Sequence, residues 1–335
     1  MAEIAVLGAG GWGIAISTLL NYNGHKVTLW EFDHQEMKKL SLQREHKQKL
    51  PGVVMPQEVK ITDQLEVSVY EADILALALP SHIVRDVAKK INSIKLKEPI
   101  VVNLAKGIEN DTLLRMSEVL TQELPSRLHE KIATLSGPSH AEEVARKIPT
   151  TVVVAGFKED VAREVQRTFM TPYFRVYTNS DIIGVELGGS LKNVIAIAVG
   201  ICDGMGLGDN SKGALISRGL AEIIRLGEKL GAKRETFAGL SGLGDLVTTC
   251  ISKYSRNRFV GEQIGRGKSL GEIEAQMTMV AEGIRTTRSA YQLSLRHQVE
   301  MPITQQVYQV LFENKKPEEA MTQLMTRDPK SEIWG

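Results

Sequence analysis

The stretch EIAVLGAGGWG, residues 3–13, decides how the first half of the chain folds. Residues 3–7 form a short, mostly apolar run, which predicts a buried strand that stops in glycines. The chain resumes as WGIAISTLLNYNG, residues 12–24, whose apolar spacing and closing glycine predict a helix. A second strand is predicted at 26–31. The stretch therefore predicts the strand, tight turn, helix and strand of a βαβ unit.

The glycines of the turn have a specific spacing. Gly8, Gly10 and Gly13 fit the pattern GxGxxG between a strand and a helix. Such glycines permit a tight turn, close approach of the backbone to a pyrophosphate, and packing of the helix on the strand. The second predicted strand ends in Glu31, close to the spacing of about 20 residues expected for an acid that binds the adenosine ribose. The sequence therefore predicts a dinucleotide-binding site.

Glu31 also bears on which dinucleotide binds. A carboxylate accepts hydrogen bonds from a ribose 2′-hydroxyl but repels a 2′-phosphate, and no arginine lies beside Glu31 in LWEFDHQE. We therefore expect NAD to be preferred, with NADP possible. The alternative is that Glu31 points to solvent and both cofactors are accepted.

The rest of the chain suggests two domains. Further apolar runs alternate with helix-competent segments at 72–79, 99–104, 132–135 and 151–156, which favours a mostly parallel sheet covered on both faces. Segments with helical spacing then follow at 182–201, 211–231, 234–248, 256–266, 269–276, 281–296 and 302–312. The predicted fold class is α/β: a Rossmann-type, doubly wound, mostly parallel sheet over residues 1–182 as the dinucleotide-binding domain, and an all-helical substrate-binding and catalytic domain over residues 183–335.

Composition narrows the class of protein. Hydrophobic residues make up 42% of the 335 residues and charged residues 24%, with a net charge of +1. This balance gives no broad surface for nucleic acid or an anionic membrane. Cys202 and Cys250 lack metal or disulfide spacing, so we expect reduced structural thiols and no metal site. No signal peptide is evident, and we expect no apolar run to approach the roughly 18 residues of a membrane span, so we predict a cytoplasmic protein.

Four polar clusters are candidate functional sites. Lys106 follows a predicted strand at the ligand-binding edge of the sheet, although it could be a solvated loop lysine. Ser139 lies at the next strand end. Arg256 and Asn257 suit phosphate recognition, unless the SRNR segment is only a solvated basic loop. Lys192 heads the apolar stretch GGSLKNVIAIAVG, where it could be a base or a lysine that extends its ammonium from a core helix to water.

Taken together, these motifs resemble the bacterial-type NAD(P)-dependent sn-glycerol-3-phosphate dehydrogenases. The resemblance covers essentially the whole chain and rests on VLGAGGWGIAIS, NLAKGIE, LSGPSHAEEVA, ELGGSLKNVIAIAVGICDGMGLGDNSKGALISRG and GLSGLGDLVTTC followed by SRNRFVG. It implies a homodimer with its site in the cleft between the domains. It also implies interconversion of glycerone phosphate and glycerol 3-phosphate for glycerophospholipid synthesis.

The resemblance assigns roles to individual residues. Lys192 would be the proton acceptor. The implied substrate-binding residues are Lys106, Gly137, Ser139, Lys192, Asn193, Asp245, Ser255, Arg256 and Asn257. The implied cofactor-binding residues are Gly8, Gly10, Gly11, Trp12, Gly13, Glu31, Phe32, Lys106, Ala141, Arg256, Val280 and Glu282. NADP-preferring members carry basic or histidine residues where this chain has Glu31, Phe32 and Asp33, which again favours NAD.

A lysine base needs a lowered pKa to act near neutral pH. Burial and a cationic neighbour lower the pKa of a lysine, and we expect Lys106 and Arg256 to supply that positive charge. We expect Asn193 and Asp245 to hold the lysine and the substrate hydroxyls. Two alternatives remain. One is a dehydrogenase of another hydroxy acid, such as a β-hydroxyacid dehydrogenase; the other is a non-catalytic NAD sensor with the same fold.

Overall fold

The structure is a computed structural model that describes residues 1–277 and 280–332. The chain divides into two compact units: Met1–Lys106 with Leu114–Glu186, and Gly107–Leu113 with Leu187–Gly335. The division after Glu186 lies a few residues beyond the predicted boundary at 182, inside a helix. The short segment Gly107–Leu113 belongs to the second unit, which the sequence did not suggest. The functional roles of the two domains stay predictions.

The first unit is built on one eight-stranded sheet. Its strands are β1 (Glu3–Leu7), β2 (Lys26–Trp30), β3 (Lys60–Thr62), β4 (Ile74–Leu77), β5 (Ile100–Asn103), β6 (Ile132–Ser136), β7 (Thr150–Gly156) and β8 (Phe174–Asn179). They lie in the order β3-β2-β1-β4-β5-β6-β7-β8, and every pairing is parallel except that between β6 and β7. The expected mostly parallel, doubly wound sheet is therefore confirmed.

Two strands escaped the sequence prediction, and both lie at the edges of the sheet. β3 has only three residues, none of them fully buried. β8 alternates, with Phe174 and Val176 buried while Arg175 and Tyr177 face outward. Central parallel strands, by contrast, are covered on both faces and form continuous apolar runs such as Ile74–Leu77. A search for continuous apolar runs therefore finds the central strands but misses the edge strands.

Seven helices cover the sheet: α1 (Gly11–Tyr22), α2 (His34–Gln43), α3 (Leu65–Val69), α4 (Val84–Asn92), α5 (Met116–Glu123), α6 (Ala141–Ala145) and α7 (Glu159–Phe169). Eight more follow: α8 (Ile182–Gly204), α9 (Asp209–Lys229), α10 (Asp245–Ile251), α11 (Arg256–Gly265), α12 (Leu270–Gln276), α13 (Glu282–His297), α14 (Pro302–Phe312) and α15 (Pro317–Met325). The second unit is helical among the described residues, as expected. The helix α15 was not predicted from the sequence, and the segment predicted at 234–248 contains a π-helical turn, Leu240–Gly244, before α10.

The helix α8 begins in the first unit, continues through the second from Leu187, and is largely buried. It is long and apolar enough to cross a membrane, but 94% of its most apolar window is buried inside the protein. The expectation that no apolar run approaches membrane-spanning length was therefore wrong for this helix. Its burial is that of a core helix, whose apolar surface is covered by protein.

Glycines let α8 and α11 pack backbone against backbone. A Cβ atom at Gly200 would lie 2.0 Å from the carbonyl oxygen of Arg258, and one at Gly261 would lie 2.1 Å from that of Ile197. Real Cβ atoms do not approach other atoms this closely, so both positions need glycine. The close packing fixes α11 against α8 around Ile197 and Gly200, on the helical turns that follow Lys192 and Asn193.

Candidate active site

The glycine turn after β1 has the geometry of a phosphate-binding loop. Gly8 has a φ of 107°, and a Cβ atom there would lie 2.7 Å from the carbonyl oxygen of Ala78. A Cβ atom at Gly10, by contrast, would meet no atom of the protein within 4 Å. The helix α1 begins at Gly11 without a side chain that caps its first turn. Open space beside uncapped N–H groups fits a pyrophosphate.

The other predicted cofactor residues of the first unit surround this turn and the end of β2. A Cβ atom at Gly11 would lie 3.7 Å from the Cβ atom of Ala141, so these two positions are adjacent. Trp12 is partly buried against the core. Glu31 is 4% exposed, and its Oε1 accepts a hydrogen bond from the amide of Asp33 at 3.1 Å. The alternative that Glu31 points freely to solvent does not fit this burial.

Phe32 is the most exposed of the predicted cofactor residues around β2. Its side chain is 77% exposed, directly after the strand end. An exposed aromatic ring at this place could stack against an adenine base, which would cover apolar surface on both partners. Its role in cofactor binding stays a prediction.

Lys106, Gly137 and Ser139 come together at the ends of their strands. The Nζ atom of Lys106 donates to the carbonyl oxygen of Gly137 at 2.9 Å and lies 3.5 Å from the Oγ atom of Ser139. The Ser139 hydroxyl donates to the same carbonyl oxygen at 3.0 Å. Gly137 has a φ of 127°, a left-handed conformation that favours glycine. Lys106 is thus held by hydrogen bonds within the first unit, which does not fit the alternative of a solvated loop lysine.

Lys192 lies in a buried polar cluster within the second unit. Its side chain is 7% exposed, and its Nζ atom lies 2.5 Å from Oδ1 of Asp245. The same Nζ atom donates to the hydroxyl of Thr249 at 2.5 Å, and that hydroxyl lies 3.3 Å from the Asp245 carboxylate. The ammonium is therefore held inside the fold and does not extend to water. Asp245 was expected to hold this lysine, and its carboxylate stabilises the ammonium form, whereas the expected cationic neighbours would destabilise it.

Thr249 belongs to this cluster, although no role was predicted for it from the sequence. Asp245 and Thr249 are four residues apart on α10, so their side chains share one face of the helix. The π-helical turn Leu240–Gly244 immediately precedes Asp245, and such turns occur often at functional sites. This turn packs closely against Gly188 of α8, where a larger residue would not fit, because a Cβ atom there would lie 2.6 Å from the carbonyl oxygen of Ser241. The spacing of four residues from Asp245 was the sequence signal from which Thr249 could have been identified.

A second set of hydrogen bonds holds the amide side chains. The Nδ2 atom of Asn257 donates to Oδ1 of Asn193 at 2.9 Å, and Oδ1 of Asn257 accepts from the amide of Gly283 at 2.9 Å. Because both amides are buried, each bond restrains their orientation. Glu282, a predicted cofactor residue, begins α13 beside Gly283. Asn193, Asn257 and Glu282 therefore belong to one part of the second unit.

The predicted phosphate-binding segment forms the start of α11. Ser255 caps the helix, since its hydroxyl accepts from the amide of Arg258 at 3.2 Å. Arg256 is exposed and donates from Nη1 to the carbonyl oxygen of Val280 at 2.9 Å, which brings two predicted cofactor residues together. Arg258 instead bonds Asp203 from Nε at 2.7 Å. The two arginines of SRNR thus have different environments: Arg256 is exposed, whereas Arg258 is only partly exposed and is paired with Asp203.

The two cysteines are buried thiols. Cys202 and Cys250 are both free, and each is buried in the fold. Burial raises the pKa of Cys250 to about 12, so its thiol stays protonated near neutral pH although it lies close to Lys192 and Asp245. Among residues 1–277 and 280–332, no group of three or more histidine, cysteine, aspartate or glutamate side chains could hold a metal ion.

Comparisons with known proteins decide the family. Two family models match the chain: the N-terminus of the NAD-dependent glycerol-3-phosphate dehydrogenases over residues 3–162, and their C-terminus over residues 181–322. The chain belongs to the NAD-dependent glycerol-3-phosphate dehydrogenase family. The match covers both units and confirms the family that the sequence motifs indicated.

Individual members of the glycerol-3-phosphate dehydrogenase family are similar over nearly their whole length. A protein of Carboxydothermus hydrogenoformans named glycerol-3-phosphate dehydrogenase [NAD(P)+] is 54% identical over 331 residues, 99% of this chain and 98% of its own. One with the same name from Fusobacterium nucleatum is 49% identical over 333 residues, 99% of each chain. The crystal structure of glycerol-3-phosphate dehydrogenase from Coxiella burnetii superposes with a TM-score of 0.93 at 35% identity, covering 97% of this chain and 99% of that one.

Proposed function

We propose that this chain is an NAD(P)-dependent glycerol-3-phosphate dehydrogenase. It interconverts glycerol 3-phosphate and glycerone phosphate by reversible hydride transfer and supplies glycerol 3-phosphate for glycerophospholipid synthesis. The single observation that carries the chemistry is the buried Lys192, paired with Asp245 and Thr249. Burying an ammonium in a core helix costs free energy because the charge is removed from water, so its presence there indicates a function.

Lys192 moves the proton in this proposal. During reduction of glycerone phosphate, its ammonium donates a proton to the carbonyl oxygen while the carbon receives a hydride, which NAD(P)H supplies when bound. In the opposite direction the neutral amine accepts the hydroxyl proton of glycerol 3-phosphate. A positioned group of this kind contributes about 10²- to 10⁴-fold in rate. Asp245 stabilises the ammonium, and Thr249 fixes the direction in which Nζ points.

The start of α11 binds the phosphate group of the substrate. Arg256 offers a planar guanidinium that matches two phosphate oxygens, and Asn257 and Ser255 lie on either side of it. The N-terminus of this ten-residue helix adds N–H groups and a favourable dipole. Lys106, with Gly137 and Ser139, binds oxygen atoms of the substrate and cofactor from the first unit. Asn193 supports Asn257 through their hydrogen bond.

The glycine turn and Glu31 bind the cofactor. The open space at Gly10 and the uncapped start of α1 receive the pyrophosphate. The buried carboxylate of Glu31 accepts hydrogen bonds from the ribose hydroxyls, which favours NAD over NADP. We further propose that the enzyme works as a homodimer in the cytoplasm. Light scattering of the purified protein tests the dimer: a mass of one chain would contradict it.

An initial-rate assay tests the activity. Oxidation of NADH or NADPH is followed by absorbance with glycerone phosphate, with its unphosphorylated analogue dihydroxyacetone, and with a panel of β-keto acids. We expect turnover with glycerone phosphate and little with the other substrates. Preferred turnover of a β-keto acid would support the related hydroxy acid dehydrogenases instead. No turnover with any of them, while NADH still binds, would support an NAD sensor.

A further inference from the structure

A cation lies beside the ribose-binding acid, although none is adjacent to it in the sequence. The Nζ atom of Lys49 lies 3.9 Å from Oε2 of Glu31. The side chain of Lys49 is 28% exposed and that of Glu31 is 5% exposed, so a partly exposed ammonium faces a buried carboxylate. This lysine comes from the loop after α2, which approaches the end of β2 only in the folded chain.

The backbone of Lys49 also borders the phosphate-binding turn. A Cβ atom at Gly11 would lie 2.7 Å from the carbonyl oxygen of Lys49. One residue therefore touches both predicted contact points of the cofactor, the pyrophosphate turn through its carbonyl and the ribose acid through its ammonium. Under the proposed function, the adenosine ribose and its 2′-substituent lie between these two points.

The loop that carries Lys49 is firmly attached. Leu50 and Met55 are each 1% exposed within the core of the first unit. Arg44 donates from Nη2 to the carbonyl oxygen of Val59 at 2.8 Å, and the amide of Lys49 donates to Nδ1 of His46 at 3.3 Å. The backbone of Lys49 is thus positioned in advance, while its partly exposed side chain can still turn.

The surrounding charges favour a role for this ammonium with an anion. His46 lies 3.5 Å from Glu36, and Glu36 also pairs with Lys39 at 2.7 Å. Glu36 therefore already has Lys39 and His46 as neighbours. Lys49, in contrast, faces Glu31 at a distance longer than a direct hydrogen bond. An ammonium beside Glu31 offsets the repulsion between that carboxylate and a 2′-phosphate. If it turns to the phosphate, it adds a charge-assisted hydrogen bond.

We propose that Lys49 is the residue that lets this chain bind the 2′-phosphate of NADP despite the carboxylate of Glu31. The inference rests on the proposed function and deepens its cofactor choice. Glu31 favours NAD, and Lys49 keeps NADP acceptable. The opposing effects of Glu31 and Lys49 set the ratio of the affinities for NAD and NADP.

Fluorescence titration of the purified protein with NADH and with NADPH, without substrate, tests the proposal. These ligands differ only in the 2′-phosphate. We expect Lys49→Met to weaken NADPH binding relative to NADH by about tenfold or more, because a charge-assisted bond to phosphate is lost. The matched control is Lys47→Met, which removes the same charge from an exposed position in the same loop and should change the ratio by less than about twofold.

A second variant separates this role from damage to the loop. Glu31→Gln should shift the ratio in the opposite direction, toward NADPH, because the repelling carboxylate is gone while Lys49 remains. Equal weakening of both ligands by Lys49→Met would overturn the proposal, since it would mean that the residue only supports the turn. An unchanged ratio would overturn it too. Failure of the unaltered protein to bind either ligand would instead refute the cofactor site of the proposed function.

Discussion

The substitution Thr249→Val tests how the fold holds Lys192. Valine keeps the volume and branching of threonine but removes the hydroxyl that lies 2.5 Å from Nζ of Lys192. A hydrogen bond to a charged group contributes about 1.5 to 3 kcal/mol, so its loss leaves the ammonium bonded to Asp245 but free to swing. Because only a correctly aimed proton donor aids the transition state, we expect kcat for glycerone phosphate reduction to fall by about 10- to 100-fold.

Steady-state kinetics with NADH measures this effect, together with a direct titration of NADH binding. The KM for glycerone phosphate should change much less than kcat, because Thr249 is not expected to bind the phosphate. The matched control is Thr248→Val, one position along the same helix and only partly buried, which should leave kcat within about twofold. A Thr249→Val enzyme with unaltered kcat would refute the positioning role. A rise in KM alone would place Thr249 in the substrate-binding surface instead.

Three further predictions concern the phosphate site, a buried acid and the packing of two helices. Arg256→Leu should raise the KM for glycerone phosphate by about tenfold or more with a smaller effect on the KM for NADH; a change confined to NADH would reassign Arg256 to the cofactor. Burial raises the pKa of Glu222 to about 7, from a value near 4.3 in the unfolded chain. Between these two pH values the folded chain binds more protons than the unfolded chain, so the free energy of unfolding falls as the pH rises. Urea denaturation should show a loss of about 2 kcal/mol between about pH 5.5 and pH 8 that is absent in Glu222→Gln; equal pH dependence of both proteins would contradict it. Gly261→Ala places a Cβ atom 2.1 Å from the carbonyl oxygen of Ile197 and should cost about 3 kcal/mol or more, whereas Gly271→Ala, with no atom within 4 Å, should be neutral or stabilising; similar effects of both would refute the close helix packing.

The sequence predicts those features whose chemistry is local. Gly8, Gly10 and Gly13 indicate the turn because a strand, a turn and a helix impose glycine at fixed positions, and Glu31 follows at a spacing that the βαβ unit sets. The central strands could be found as continuous apolar runs. The edge strand β8 could not, because an edge strand alternates and resembles a polar segment.

Features that depend on tertiary pairing are harder to predict. Thr249 has a recognisable spacing from Asp245, but only the folded helices show that both side chains meet Lys192. Lys49 has no sequence signal at all, since its relation to Glu31 arises from the path of a loop. Asp245 could be expected to hold Lys192 only through the resemblance to a known family, because nothing local in the sequence shows which charge a buried amine will face.

The substitution Lys192→Met tests the central claim most directly. Methionine keeps much of the length and the apolar contacts of lysine but can neither give nor take a proton. The measurement is the rate of glycerone phosphate reduction by NADH, with NADH binding titrated in parallel. If Lys192 is the proton donor, kcat falls by about 10²- to 10⁴-fold while NADH still binds. Turnover within about tenfold of the unaltered enzyme, with NADH bound, would contradict the assignment.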